Sequence, residues 1–318
     1  MSDSRPRASR AAYSALLATT VVWGATFLVM KEGIAAFARA AGEGGGETGG
    51  GPEFGPTFYL ALRFALAFPV GCLVFRISPV ALSRSDWKRG GYLAAAMVAG
   101  FAFQIYGLER TTAATNAFLT SLYVVFTPIL DRIFGGRPAA GRVLAGVALA
   151  LAGVLVLFRP WTGAPGSGEV LSAACAVLFA AHILLIDRLT RDGRAVELTL
   201  TTIGWAAASF LVVVPFLGGS ERLLSADFWS AAFSDPWLTA GLPGIVLLAT
   251  VGALWVSNRY QKELSPARAA VIYTIEPVWA LLFSGLAGKE SLDRWFIAGA
   301  ALIVAGNLWS EVGWPAPR

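Results

Sequence analysis

Long apolar runs and short polar breaks alternate along the chain. Ten runs stand out, at 12–30, 57–75, 91–109, 113–133, 141–158, 169–187, 198–217, 238–258, 267–287 and 295–311, each with at most one full charge well inside it. At about 1.5 Å of helical rise per residue, runs of roughly this length cross a hydrocarbon core of about 30 Å. Backbone in lipid must satisfy its own hydrogen bonds, so every run is read as a helix; a barrel would instead show short segments alternating polar and apolar residues, and no such dyad pattern occurs. The expectation is an all-α polytopic membrane protein with ten transmembrane helices.

Composition strengthens that picture. Of 318 residues 56% are apolar and only 14% charged, with a mean hydropathy of +0.63, whereas soluble domains carry roughly a quarter of their residues as charges. A soluble globular protein is excluded. The net charge of +5 would suggest a nucleic-acid partner in a soluble domain, but here Lys and Arg occupy short loops between apolar runs, so no nucleic acid is expected. With the N-terminus inside, seventeen basic residues lie on the inner side, seven on the outer, and Arg63 within a run. That asymmetry puts both termini, 1–11 and 312–318, in the cytoplasm and the chain in the cytoplasmic (inner) membrane. No small-residue cleavage pattern follows the basic N-terminus, so the first run reads as an uncleaved helix. The outer loop 38–56 is Gly-rich and reads as a flexible tether, while 218–237 carries an apolar stripe suited to the membrane interface.

The chain also matches itself at an offset of 153 residues, which pairs Gly91 with Gly244, Gly135 with Gly288, Gly146 with Gly299 and Gly153 with Gly306. Gly146 and Gly153, like Gly299 and Gly306, mark one helical face where backbones can approach closely, within the chain or in a homodimer. Duplication explains the match, with repeats at 12–158 and 169–311. Five spans per repeat is an odd number, so the second copy enters the membrane upside down, as in secondary transporters with a midplane site.

Several segments resemble a known family. VVWGATFLVMKEGI in the first span, YLALRFALAF in the second, AFLTSLYVVFTPIL in the fourth and TIEPVWALLFSGLAGKESLDRWFIAGAALIVAGN in the last pair are similar to EamA-type members of the drug/metabolite transporter superfamily. The resemblance covers essentially 12–311. It implies a secondary transporter, usually an exporter of amino acids, related metabolites or toxic small molecules, with a central cavity and cytoplasmic termini. One departure is visible: the turn Gly288-Lys289-Glu290 carries the family's glutamate, whereas the first half has Arg137 at that place.

Glu276 is the sharpest chemical signal. It lies about ten residues into the ninth run, near the bilayer centre, where a carboxylate is expensive, and Pro277 after it should kink the helix. Two roles are open: pairing that locks helices together, or binding a cationic substrate group in exchange for a proton. The offset places Tyr123 opposite Glu276 and Thr120 opposite Tyr273, and helical spacing puts Asn116, Thr120, Tyr123 and Thr127 on one face. Gln104 in the third run and Trp255 and Asn258 in the eighth add candidate polar and aromatic contacts to substrate. His182, the one histidine, lies opposite Thr26 and is a candidate second proton carrier or a packed neutral ring. Arg63 reads as a snorkelling cation, with anion binding or an ion pair to Glu276 as rivals. Cys72 and Cys175 are read as apolar filler.

No metal-ligand spacing and no phosphate-cradling loop is present, so no cofactor is expected and gradients must drive transport. The expected partners are a small-molecule substrate, membrane lipid and, for coupling, protons. Rival readings are a broad exporter of lipophilic cations, an intramembrane enzyme built on Glu276 and His182, and a membrane scaffold.

Overall fold

A computed structural model describes residues 9–41, 54–135, 141–158, 165–217, 220–290 and 293–311. Among them every regular element is helical. Eight helical stretches are long and apolar enough to cross a membrane: Arg10–Ala40, Gly55–Phe75, Arg84–Arg110, Ala113–Phe134, Ser167–Leu189, Ala195–Phe216, Pro236–Glu263 and Pro266–Leu286. The other two predicted positions hold Gly141–Phe158 and Arg294–Glu311, helices with shorter apolar stretches. Exposed Leu73, Phe134, Leu155, Leu286 and Trp309 give the outside the apolar character that lipid requires.

In chain order the helices are α1 (Arg10–Ala40), α2 (Phe54–Phe75), α3 (Arg84–Arg110), α4 (Ala113–Thr120), α5 (Tyr123–Gly135), α6 (Gly141–Phe158), α7 (Ser167–Leu189) and α8 (Ala195–Val213). There follow α9 (Ala226–Ser234), α10 (Pro236–Thr239), α11 (Gly241–Gly244), a π-helical stretch Ile245–Gly252, α12 (Ala253–Tyr260), α13 (Pro266–Tyr273), α14 (Glu276–Leu286) and α15 (Arg294–Glu311). The fourth and ninth predicted spans are therefore each broken in two. Both breaks carry the same hydroxyl-to-carbonyl bond. Ser121 Oγ donates to the Phe118 carbonyl at 2.6 Å, and Thr274 Oγ1 donates to the Val271 carbonyl at 2.5 Å. A hydroxyl that engages the carbonyl three residues back competes with the helical ladder, although Thr20 and Thr26 make the same bond within the continuous α1, so the bond accompanies the breaks without sufficing for them. The backbone responds with tighter bonds, Val124 N to Ser121 O in one half and Val278 N to Ile275 O in the other. Pro277 thus stands at the start of a fresh helix, a position proline suits, and not in the middle of a kinked one.

The repetition extends to capping. Thr112 and Ser265, 153 residues apart, cap α4 and α13 by accepting the amide hydrogens of Thr115 and Arg268. α6 and α15 share the same offset and pack on each other through their glycines. A Cβ at Gly153 would lie 2.6 Å from the Gly299 carbonyl, and one at Gly306 2.5 Å from the Gly146 carbonyl. These small faces are used within one chain.

Two expectations change. α1 runs ten residues past the apolar limit at Met30, because Ile34, Ala36 and Phe37 are buried and Lys31 turns inward to donate to the carbonyls of Leu108 and Thr111 at the end of α3. The apolar stripe of 218–237 turns onto the protein, with Phe228 stacked on Phe37 and Trp229 edge-on to Phe58. The flexible-tether reading of 38–56 and the Arg137 turn fall largely outside the described residues.

Packing is pairwise: α1 lies on α14 and α12, α7 on α3, α4 and α5, and α2 on α8. Two large buried apolar clusters and one small one, of Leu93, Ile186 and Leu198, result. One large cluster is built largely on α1, α2, α3 and α8, the other on α4, α5, α7 and α13. The site is lined from both.

Candidate functional site

The helix break before α14 delivers Glu276 to a cavity. Its backbone is pressed against α1 at Gly24, where an added Cβ would lie 2.8 Å from the Glu276 carbonyl and collide with the Trp279 side chain. Only glycine lets α1 come this close. The carboxylate is buried, with 8% of the residue exposed, and has no hydrogen-bond or ion-pair partner among the described residues. Tyr123, Tyr273 and Cys175 are close enough to feel its charge, and none of them is cationic.

The cavity has a volume of about 80 Å³. Trp23, Thr26 and Phe27 of α1 form one wall, with Met97, Phe101 and Gln104 of α3 and Phe179, His182, Ile183 and Ile186 of α7 around it. Thr120, Tyr123, Tyr273 and Glu276 line the side of the two breaks, and Arg63, Leu254, Ser257 and Gln261 complete it. Most of this surface is apolar, with a few convergent polar groups, the usual make-up of a small-molecule site.

Those polar groups are held to different degrees. The Tyr273 hydroxyl lies 3.1 Å from Gln261 Oε1 and 3.2 Å from Ser257 Oγ, while Gln261 Nε2 donates to the Ile183 carbonyl at 2.8 Å. Trp23 packs on Tyr273 with ring centroids 5.3 Å apart, and its indole N–H donates to the Ala249 carbonyl at 3.1 Å. The Tyr123 hydroxyl is buried with no protein partner among the described residues. His182 Nδ1 stands 3.0 Å from the Leu93 carbonyl. A carbonyl only accepts, so Nδ1 carries a proton.

Of the residues singled out in the sequence, Glu276, Tyr273, Tyr123, Thr120, Gln104 and His182 come together here, and so do Arg63 and Thr26. Asn116, Trp255 and Asn258 do not. Asn116 is a tie between helices, donating to Ser172 Oγ at 2.6 Å and to the Gln104 carbonyl at 3.1 Å. Asn258 ties α12 to α8 through Thr199 Oγ1 at 2.9 Å, and Trp255 packs on Phe75 and Tyr260. Arg63 is buried and donates to Thr250 and Met30, so it neither snorkels nor pairs with Glu276. Gln261, Phe101 and Phe179 were not indicated by the sequence. Gln261 lies beyond the eighth apolar run, and a lining phenyl ring has the same hydropathy as a lipid-facing one. Among the described residues no three His, Cys, Asp or Glu side chains converge as a metal would need.

The profile of the EamA-like transporter family matches the chain twice, over residues 49–159 and 166–310. The chain belongs to this family. It is thereby a member of the drug/metabolite transporter superfamily and a membrane protein, and the two matched segments correspond to its two repeated parts. A family member from Archaeoglobus fulgidus named as an uncharacterized transporter is 29% identical over 292 residues, 91% of this chain and 82% of its own length. Another from Salmonella typhimurium, named a probable amino-acid metabolite efflux pump, is 26% identical over 310 residues, 95% of both chains. A crystal structure at 18% identity covers 95% of this chain and 97% of its own with a TM-score of 0.60, which shows a shared fold.

Proposed function

We propose that the chain is a secondary transporter in the cytoplasmic membrane, with ten membrane-crossing helices and cytoplasmic termini, that exports a small metabolite such as an amino acid or related compound. Its two halves, 12–158 and 169–311, are inverted five-helix repeats that rock around the cavity in alternating access. Several features support the repeat: α4 and α13, α6 and α15, both breaks and both caps recur at 153 residues. The packing is also equivalent when halves are exchanged, α1 on α12 and α14 corresponding to α7 on α3 and α5. The Salmonella relative's name favours an amino-acid-like cargo.

The observation that carries the reading is Glu276, a buried carboxylate at a helix break, facing a cavity and without a hydrogen-bond or ion-pair partner among the described residues. An isolated charge at membrane depth is costly unless it takes up a proton or meets an opposite charge from a ligand. Both happen in turn in a proton-exchange cycle: the protonated carboxyl waits, a cationic substrate group displaces the proton, and release on the far side restores it. Tyr273, Tyr123, Thr120 and Gln104 supply hydroxyl and amide contacts to the substrate. His182, whose Nε2 is free to accept, stands as the second proton carrier.

The test is metabolite profiling of cells and medium, with wild type or Glu276→Gln at matched abundance, at pH 6 and pH 8. The expected result is a metabolite released by wild type alone, at a rate that depends on pH. Identical profiles from both proteins, across amino acids and lipophilic-cation challenges alike, contradict the coupling role.

A further inference from the structure

Glu276 is not the cavity's only unmatched charge. Arg63, at 2% exposure, lies within α2 in the wall of the same cavity. Its Nε donates to Thr250 Oγ1 at 2.7 Å and one terminal nitrogen lies 3.2 Å from Met30 Sδ, while its guanidinium sits over the rings of Phe101 at 4.9 Å and Phe64 at 5.3 Å. No carboxylate pairs with it among the described residues. A guanidinium has five N–H donors, and these contacts leave most of them without an oxygen acceptor. A structural arginine at this depth would have a carboxylate or several carbonyls around it.

The orientation of Arg63 is built in. Thr250 belongs to the π-helical stretch, where its own hydroxyl donates to the Ile245 carbonyl at 2.9 Å and so leaves a lone pair for Arg63 Nε. π-Helical insertions of this kind are frequent at functional sites. The rings of Phe64 and Phe101 hold the guanidinium plane, and the terminal nitrogens are left for a ligand.

We propose that Arg63 is the carboxylate-binding pole of the cavity and Glu276 its ammonium-binding pole, so that the site takes a zwitterion with an apolar body. This rests on the reading of the cavity as the substrate path. α1 touches both poles: Gly24 lies on the Glu276 backbone and Met30 touches Arg63. The two groups make no direct ion pair and line one cavity, so one small molecule can reach both. Between the poles the walls are Trp23, Phe27, Phe179 and Leu254, which suit an apolar side chain. A bidentate guanidinium–carboxylate contact also explains why arginine, and not lysine, occupies the site.

The test is binding to purified full-length protein, followed by thermal shift, with three probes: phenylalanine, its methyl ester, which lacks the carboxylate, and 3-phenylpropionate, which lacks the amine. Leucine with its matching analogues serves as a second series. Wild type is expected to bind a zwitterion at least tenfold more tightly than either analogue. Arg63→Gln should lower zwitterion affinity at least tenfold and leave the ester unchanged, Arg63→Lys should recover part of the loss, and Glu276→Gln should spare the propionate. Equal weakening of all probes by Arg63→Gln, tighter binding of the ester by wild type, or failure of both zwitterions to bind overturns the assignment. Counterflow in proteoliposomes separates this from the export reading. Flux of the ester without phenylalanine overturns the poles alone, whereas a probe that binds and never moves overturns export.

Discussion

The breaks before Tyr123 and before Glu276 share a backbone and differ in chemistry. In each a hydroxyl bonds the carbonyl three residues back, from Ser121 or Thr274, at the point where the helix stops, and in each a fresh helix begins two residues later with its first side chain at the cavity. The first half presents a neutral phenol whose hydroxyl has no protein partner among the described residues; the second presents a carboxylate. The two halves thus share the device that places a side chain, and in the proposed cycle the function rests on what one of them places there. The contact partners differ in keeping with this. Gly24 allows α1 to lie on the second break, while the residue of α7 matched to it by the pairing of Thr26 with His182 is Ala180, which is fully buried.

The largest expected effect comes from removing the difference. Glu276→Gln should abolish pH-dependent export, a loss of about tenfold or more, while Tyr123→Phe should stay within about twofold, because only the carboxylate can carry a charge across the cycle. Radiolabelled efflux from proteoliposomes reads both. Next in size, Gly24→Leu should force α1 off α14 and cost about 1–3 kcal/mol or more, seen as a lower yield of monodisperse protein and a lower Tm; Ala180→Gly, its counterpart, should be tolerated. Smaller still, Ser121→Ala and Thr274→Ala each lose one hydroxyl bond worth about 0.5–1.5 kcal/mol. Their Tm shifts should be similar, and only Thr274→Ala should alter transport.

The smallest effect lies away from both breaks. In the α7–α8 turn the hydrogen bond from Arg89 holds the Asp192 carboxyl below the usual carboxylate range. A carboxyl with a depressed folded-state pKa stabilises above its unfolded value and loses that contribution as pH falls through the folded one. Asp192→Asn should therefore lower Tm slightly at pH 7, with the difference fading below about pH 4. Asp192 is 43% exposed, so solvent screening keeps the effect small.

Much of this arrangement is legible in the amino-acid pattern. Hydropathy locates all the long helices, and the 153-residue match points to Tyr123 and Glu276 as equivalent. The breaks are not visible that way, since one serine or threonine hardly alters the mean hydropathy of an apolar run, although the pairing of Ser121 with Thr274 was there to be read. Polar residues within the runs also divide into two uses that pattern cannot separate. Asn116 and Asn258 spend their amides on neighbouring helices, whereas Gln104 and Tyr123 reach the cavity. Which occurs depends on helix rotation and on partners far away in the chain.

The central claim is that substrate moves through this cavity in exchange for a proton at Glu276. The direct measurement is proton movement itself: purified protein in liposomes loaded with a pH-sensitive dye, challenged with the metabolite that profiling identifies. The account predicts a substrate-dependent pH change with wild type, absent with Glu276→Gln and retained with Tyr123→Phe. Substrate flux with no proton movement in wild type, or proton movement that persists in Glu276→Gln, would contradict it.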